Sequence, residues 1–212
     1  LSYHPYRFLT EPDADDLIQL FRTLRNKGKH VSIMGHFSHY QELSDVTLEA
    51  VRRLREEGGA TIRTQSPVMR HINDCPEVWG KMWNMQIQNG MIPYYMFIAR
   101  DTGAQNYFEI PLAKALYVYQ NARKYVSGLG HTARGPSMSC GPGKICVLGR
   151  ETIMNEDVFI LKFLQGRNND WCDRVFFAKY DEKTVENLNK MKKSSQEQII
   201  LLNTEEINHK LF

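Results

Sequence analysis

Two short segments contain residue types that can do chemistry. His36-Phe37-Ser38-His39 sets two imidazoles three positions apart. Histidine is the commonest transition-metal ligand and a ready hydrogen-bonding group. No Asp, Glu or Cys nearby clearly completes a metal site, so a loop histidine that only hydrogen-bonds is the competing reading. Gly141-Pro142-Gly143-Lys144 is the more suggestive segment. A glycine-rich turn lets backbone approach a phosphate, and a lysine beside it can form an imine with a carbonyl cofactor. It is not a phosphate-binding GxxxxGK[ST] loop, because Ile145 follows Lys144. Its plain alternative is a turn before a strand, with a solvated lysine. Gln65 and Asp101 are unremarkable alone. Tyr94 and Tyr95 suit a core or a lining, and Trp79 with Trp83, four apart, suits helix packing.

These residues need elements to position them, and the chain repeats a unit of apolar strand, loop and amphipathic helix. Pro12 and the acidic run Asp13, Asp15, Asp16 open a helix carrying Leu17, Leu20, Phe21 and Leu24 at i, i+3, i+4, i+7, and Gly28 closes it. A strand is predicted over 30–34. Ser44 caps a second helix with Leu48, Val51 and Leu54, stopped at Gly58-Gly59. A strand over 60–64 follows, then a helix from Pro76 to Gly90, a strand over 92–98, and a helix from Pro111 to near Gly128. Strand starts recur about every 30 residues, the size of one βα unit, so the expected class is α/β with a mostly parallel sheet, open or closed into a barrel. Ligands in such folds gather beyond the carboxyl ends of the strands. His36–His39, Gln65-Ser66 and Arg100-Asp101 each follow a predicted strand. From Gly128 to Lys144 the density of Gly and Pro predicts an irregular loop. Strands over 144–148 and 158–164 follow, joined by a turn at 155–157. Residues 181–212 form a polar tail, expected to be a peripheral helix or a frayed end.

Composition limits the function classes. The 212 residues are 42% hydrophobic and 24% charged, an ordinary balance for a globular domain. No apolar run approaches the roughly 20 residues of a membrane helix. A net charge of +3 gives no electrostatic case for nucleic-acid binding. Cys75, Cys140, Cys146 and Cys172 show no CxxC or CxxxCxxC spacing. Scattered thiols of this kind fit a reducing, cytoplasmic compartment better than a disulfide scaffold. The chain opens on Leu1 rather than Met and is expected to be the tail of a longer polypeptide, or a processed or cloned piece.

Four stretches in order, GHFSHYQELS, LEAVRRLREEGGATIRTQSPVMRHINDCPEVW, IPYYMFIARDTGAQNYFEIPLAKAL and YVSGLGHTARGPSMSCGPGK, resemble the lysine 2,3-aminomutase and glutamate 2,3-aminomutase family of radical S-adenosylmethionine enzymes. That family shows an HFNHPxE-like loop, an NQSVLLRGVND stretch, a PYY…D…HFR.P segment and a GGGGK loop in the same order. The resemblance covers residues from about 30 to 148 and implies part of a (β/α) barrel of the TIM type. It also implies a [4Fe-4S] cluster that cleaves S-adenosylmethionine, and pyridoxal 5'-phosphate that carries the migrating amino group. By the same resemblance Lys144 matches the lysine that binds pyridoxal phosphate, and His36 and Gln65 match residues that contact S-adenosylmethionine. The implied organisation is C-terminal βα units of the barrel over 1–128, the cofactor-lysine loop and a β hairpin over 129–180, and the tail 181–212.

Departures from the family pattern refine the expectation. The CxxxCxxC cluster motif is missing, so no metal ligand is expected in this chain, and the chain alone is expected to be inactive. Counted from Tyr94-Tyr95, Arg100 stands where the family places an Asp that grips the substrate's distal ammonium, and Asp101 is one position late. Counted back from Lys144, Ser137 takes the second such Asp position. A cation and a hydroxyl in place of two carboxylates would repel a lysine ammonium. The expected substrate is therefore a small acidic or neutral amino acid, with Arg100, Asp101 and Ser137 as candidate substrate residues. No nucleic-acid or membrane partner is expected, and the full-length enzyme is compatible with a homo-oligomer. Two alternatives stay open: a radical enzyme acting on a protein lysine, and a non-catalytic binding domain that has lost its cluster half.

Overall fold

Caps, prolines and glycines in the sequence mark several of the helix ends. The computed structural model describes residues 12–99, 104–180 and 182. Helix α1 (Asp13–Asn26) is followed by strand β1 (Ser32–His36), and α2 (Asp45–Arg52) runs on into one π-helical turn, Arg53–Glu57. Strand β2 (Thr61–Val68), α3 (Pro76–Gln88), β3 (Ile92–Ile98), the short α4 (Gln105–Phe108) and α5 (Leu112–Ala122) come next. Ser44 accepts from the Thr47 amide at the start of α2, and Pro76 occupies the first turn of α3. Gly28, Gly59 and Gly90 follow α1, the π turn and α3 with φ of 72°, 69° and 68°, a backbone that side chains disfavour.

Four further strands complete one sheet: β4 (Arg134–Cys140), β5 (Gly143–Ile153), β6 (Glu156–Gly166) and β7 (Val175–Lys179). Strand order follows chain order from β1 to β7. Strands β1 to β4 are parallel, and β4 to β7 are antiparallel. The helices pack on one face. Ile18 of α1, Val51 and Leu54 of the second helical stretch, Trp79, Met82 and Trp83 of α3, and Val118 of α5 share one core with Ile62, Val68 and Met96 of the sheet. Leu112 and Leu116 of α5 cover Ile145, Val147, Phe159, Leu161 and Phe163 of the antiparallel half. Trp79 and Trp83 meet edge to face at 5.4 Å, in the packing role their spacing predicts. Strand β2 alternates: Ile62, Thr64, Ser66 and Val68 are buried under the helices, while Arg63, Gln65 and Pro67 look the other way.

Four sequence expectations need correction. The parallel register, Ser32 with Thr61 through His36 with Gln65, carries β1 and β2 further than the apolar runs suggest. His36 is therefore the last residue of a strand, and Gln65 and Ser66 lie inside one. The region 128–144 is not an irregular loop: Arg134–Cys140 is β4, which pairs with Tyr95 and Phe97 on one side and with β5 on the other. Its glycine is there for proximity, since a Cβ on Gly135 would stand 2.8 Å from the Met96 Cβ and carbonyl oxygen. Strand β7 was not foreseen, because its five residues gain their hydrogen bonds and burial only against β6. The last predicted helix also ends earlier, with Arg123–Tyr125 tightening into a 3-10 turn. The polar tail, apart from residue 182, lies outside the described residues. Among the described residues no helix is long and apolar enough to cross a membrane.

Candidate functional site

The face of the sheet opposite the helices gathers the chemistry. Register places His36, Gln65, Tyr95 and Arg134 in one row across β1 to β4. The first two are joined, with the Gln65 side-chain amide 2.8 Å from His36 Nε2. An amide NH2 can only donate, so the imidazole accepts there. Lys144 lies off this row in register, opposite Ser139, but its Nζ reaches to 4.2 Å from the Tyr95 ring centre and 5.2 Å from that of Phe97. Those two rings stack at 5.3 Å and 18°. Tyr95 thus links the histidine–glutamine pair to the lysine. Burial pushes the Tyr95 phenol above its usual range; a hydrogen bond from Arg134 works against the rise, and the neighbouring Tyr94 phenol adds to it.

A second tyrosine collects two guanidiniums. Arg63 lies 5.1 Å from the Tyr94 ring centre, and Arg134 lies 5.6 Å from it and 6.0 Å from that of Tyr95. Tyr94 and Tyr95 meet edge to face at 4.3 Å. Neither arginine drew notice in the sequence. Only the alternation of β2 and the Tyr95–Arg134 pairing bring them together, and no linear spacing reports that.

The loops around the row are held by polar groups. Ser38 and His39 both donate their backbone N–H to Glu42 Oε1, at 2.7 and 2.9 Å. His39 accepts the Gln41 amide on Nδ1 and caps the turn Tyr40–Glu42, so its imidazole is engaged in local structure. Asn73, fully buried, is the residue the sequence reasoning passed over. Its Oδ1 accepts from Met69 N–H at 2.7 Å, and its Nδ2 donates to the Ser38 and Pro67 carbonyls at 2.8 and 3.0 Å. It ties the loop after β1 to the end of β2. A buried asparagine bonded to backbone on both sides is a positioning device, legible only once those segments are adjacent.

Lys144 lies just past the turn of the β4–β5 hairpin, opposite Ser139 and Gln165. Cys140 and Gly143 pair across that turn, leaving Gly141-Pro142 at its tip, and Cys140 Sγ lies 3.2 Å from the Gly143 carbonyl oxygen. Cys146 is buried opposite Ser137, and burial pushes its thiol above the ordinary range. Ser137 is fully buried, with its hydroxyl donating to the Met96 carbonyl at 3.2 Å. Arg100 and Asp101 lie outside the described residues. Among the described residues no group of three His, Cys, Asp or Glu side chains converges as a metal site.

The fold and site define a class: an α/β protein with consecutive parallel βα units, helices α1, α2, α3 and α5 packed on one sheet face, and on the other a polar row with a lysine reaching toward it. No family model matches the chain. Among curated proteins it is 32% identical over 150 residues to a protein of Aquifex aeolicus named "Putative L-lysine 2,3-aminomutase", covering 71% of this chain and 39% of that one. It is 25% identical over 132 residues to the L-lysine 2,3-aminomutase of Clostridium subterminale, covering 62% and 32%. With the L-lysine 2,3-aminomutase of Methanococcus maripaludis it shares 21% over 184 residues, covering 79% and 41%. The chain is a distant relative of the lysine 2,3-aminomutases. It spans about two fifths or less of the length of these relatives.

Proposed function

We propose that this chain belongs to a pyridoxal phosphate-dependent radical S-adenosylmethionine aminomutase-like isomerase, and that it carries the cofactor lysine and part of the S-adenosylmethionine site. The observation that carries this reading is the row His36, Gln65 and Tyr95 on one sheet face, with the Lys144 amine reaching the Tyr95 ring from β5. The sequential strand order with helices on one side supports a barrel wall, since a doubly wound sheet reverses its order and takes helices on both faces.

The residues present fit two of the three implied groups. Lys144 is half-buried on the Tyr95–Phe97 shelf, which offers flat apolar surface to a planar aromatic aldehyde. When bound there, pyridoxal phosphate supplies a carbonyl for the amino group and a conjugated ring that stabilises charge or an unpaired electron. The half-exposed His36–Gln65 pair offers a polar edge to S-adenosylmethionine. An iron–sulfur cluster does not fit, because the chain's four cysteines are scattered and none is part of a ligand cluster among the described residues. The chain's own residues orient and hold. Lys144 is the nucleophile toward the carbonyl, Tyr95 fixes the lysine's approach, and Asn73 fixes the loops at the strand ends. Free thiols support a cytoplasmic setting.

The substrate in this reading is a small amino acid other than lysine, since Ser137 stands in place of an acidic residue and its hydroxyl is turned to backbone. Treatment of the chain with pyridoxal phosphate and borohydride, followed by peptide mass spectrometry, tests the cofactor assignment. Label concentrated at Lys144 and lost in Lys144→Ala is the expected result. Label spread evenly over exposed lysines such as Lys114 and Lys124 would sink it and favour a radical enzyme that works without pyridoxal. For the substrate, a full-length enzyme that isomerised lysine and ignored glutamate would refute the assignment.

A further inference from the structure

Arg63, Arg134, Lys144 and Lys162 project from β2, β4, β5 and β6 of one sheet. Among the described residues, Asp173 stands 2.6 Å from Lys162 and near enough to feel Arg134. Elsewhere exposed arginines find acids: Arg22 has Glu57, Arg52 has Glu49, and Arg150 has Asp157. Among the described residues Arg63 and Arg134 have no carboxylate within ion-pair reach. Arg63 lies 5.1 Å and Arg134 5.6 Å from the Tyr94 ring centre, and Arg134 also hydrogen-bonds the Tyr95 phenol, so an aromatic pair rather than an acid is their nearest support.

That mode of support matters chemically. A guanidinium stacked on a ring is held by its face, while its N–H fork points outward in the plane. The fork matches a carboxylate or phosphate in a bidentate fashion, and fixing it beforehand removes much of the ordering cost of binding. Two guanidiniums beside Tyr94, one of them (Arg134) in the row that also holds His36 and Gln65, put on the open face the charge and donors that an oxyanion needs.

We infer that Arg63 and Arg134, clamped on Tyr94, bind an oxyanion, a carboxylate or phosphate of the small ligand that occupies the open face, and that they determine its specificity. This rests on the proposed function only for the ligand's identity. A distal carboxylate on the substrate makes it an acidic amino acid, whereas a phosphate makes the pair a cofactor anchor.

Titration calorimetry of the full chain with glutarate and, separately, with inorganic phosphate tests the site. At least one dianion binds, weakened by added salt. Arg63→Gln and Arg134→Gln each weaken it about ten- to a hundredfold, the range for a lost hydrogen bond to a charged group. Arg150→Gln, away from the row, leaves it unchanged, and unaltered circular dichroism shows that the variants are folded. Tighter glutarate assigns the site to a substrate carboxylate, and tighter phosphate to a phosphate-bearing ligand; both sustain it. Absence of binding by either dianion overturns the inference, as does an Arg150→Gln effect equal to that of Arg63→Gln. Retained dianion binding without pyridoxal labelling at Lys144 would refute the proposed function and leave this site standing.

Discussion

Replacing Asn73 tests how the open face is kept in shape. Its side chain makes three hydrogen bonds, from Met69 N–H and to the Ser38 and Pro67 carbonyls, at 2.7 to 3.0 Å, with none of its surface exposed. Each bond is worth about 1 kcal/mol net, and a buried group left unpaired costs about 1–3 kcal/mol. Asn73→Ala removes all three, strands the Met69 N–H and the Ser38 carbonyl, and leaves the Pro67 carbonyl only its bond from Ser66 Oγ at 3.2 Å, so the expected loss is about 3–5 kcal/mol. For a chain of this size each kcal/mol lowers Tm by about 2–4 °C, which gives a fall on the order of 10 °C. Asn73→Asp separates hydrogen bonding from packing. It keeps the shape and the acceptor for Met69 but turns an oxygen toward two carbonyls, so it must be at least as harmful as Ala. Urea denaturation and thermal melts read both variants. A Tm fall under about 2 °C for Asn73→Ala, or an Asp variant as stable as the parent, would show that these bonds do not hold the two loops. Pyridoxal labelling at Lys144, on the other side of the sheet centre, should persist in both variants while they remain folded.

Other consequences follow from the same packing. Gly135→Ala puts a methyl 2.8 Å from Met96 Cβ and carbonyl oxygen and should cost about 1–3 kcal/mol, read as a lower urea midpoint. Thr64→Val leaves Gln86 Oε1, which now accepts from Thr64 Oγ1 at 2.8 Å in a buried pair, without that donor; a loss of about 1–2 kcal/mol in the same assay is expected. Burial raises the Tyr119 phenol as it does that of Tyr95. A folded pKa above the unfolded value near 10 means that this stabilisation is complete below about pH 10 and is lost as pH climbs through the folded value. Ultraviolet titration should show both phenols ionising late, and Tyr119→Phe and Tyr95→Phe should each delete one late step; unaltered profiles would contradict the burial argument.

Much of the fold was legible because its signals are local. Ser44, Pro76, Gly28, Gly59 and Gly90 act within one turn of their helices, and strand β3 falls on the predicted residues 92–98. Of the candidate residues, His36 and Lys144 stood out by type and Gln65 only by resemblance; sheet pairing sets His36 beside Gln65, and the Lys144 side chain reaches Tyr95 on the same face. Strand β4 was hidden because Gly135, Pro136 and Gly141–Gly143 resemble a loop to any local rule, while their strand character comes from partners far along the chain.

By itself the sequence determined the α/β class, the succession of βα units, the distant kinship and the lysine to watch, since each is written in periodicity, caps or ordered motifs. Tertiary structure alone decided that β1 reaches His36, that Asn73 ties two loops, and that Arg63 and Arg134 meet at Tyr94. The physical reason is register. A strand's side chains alternate faces, and one step of pairing moves every one of them from helix to open surface, so which residues meet is set by hydrogen bonds between distant segments.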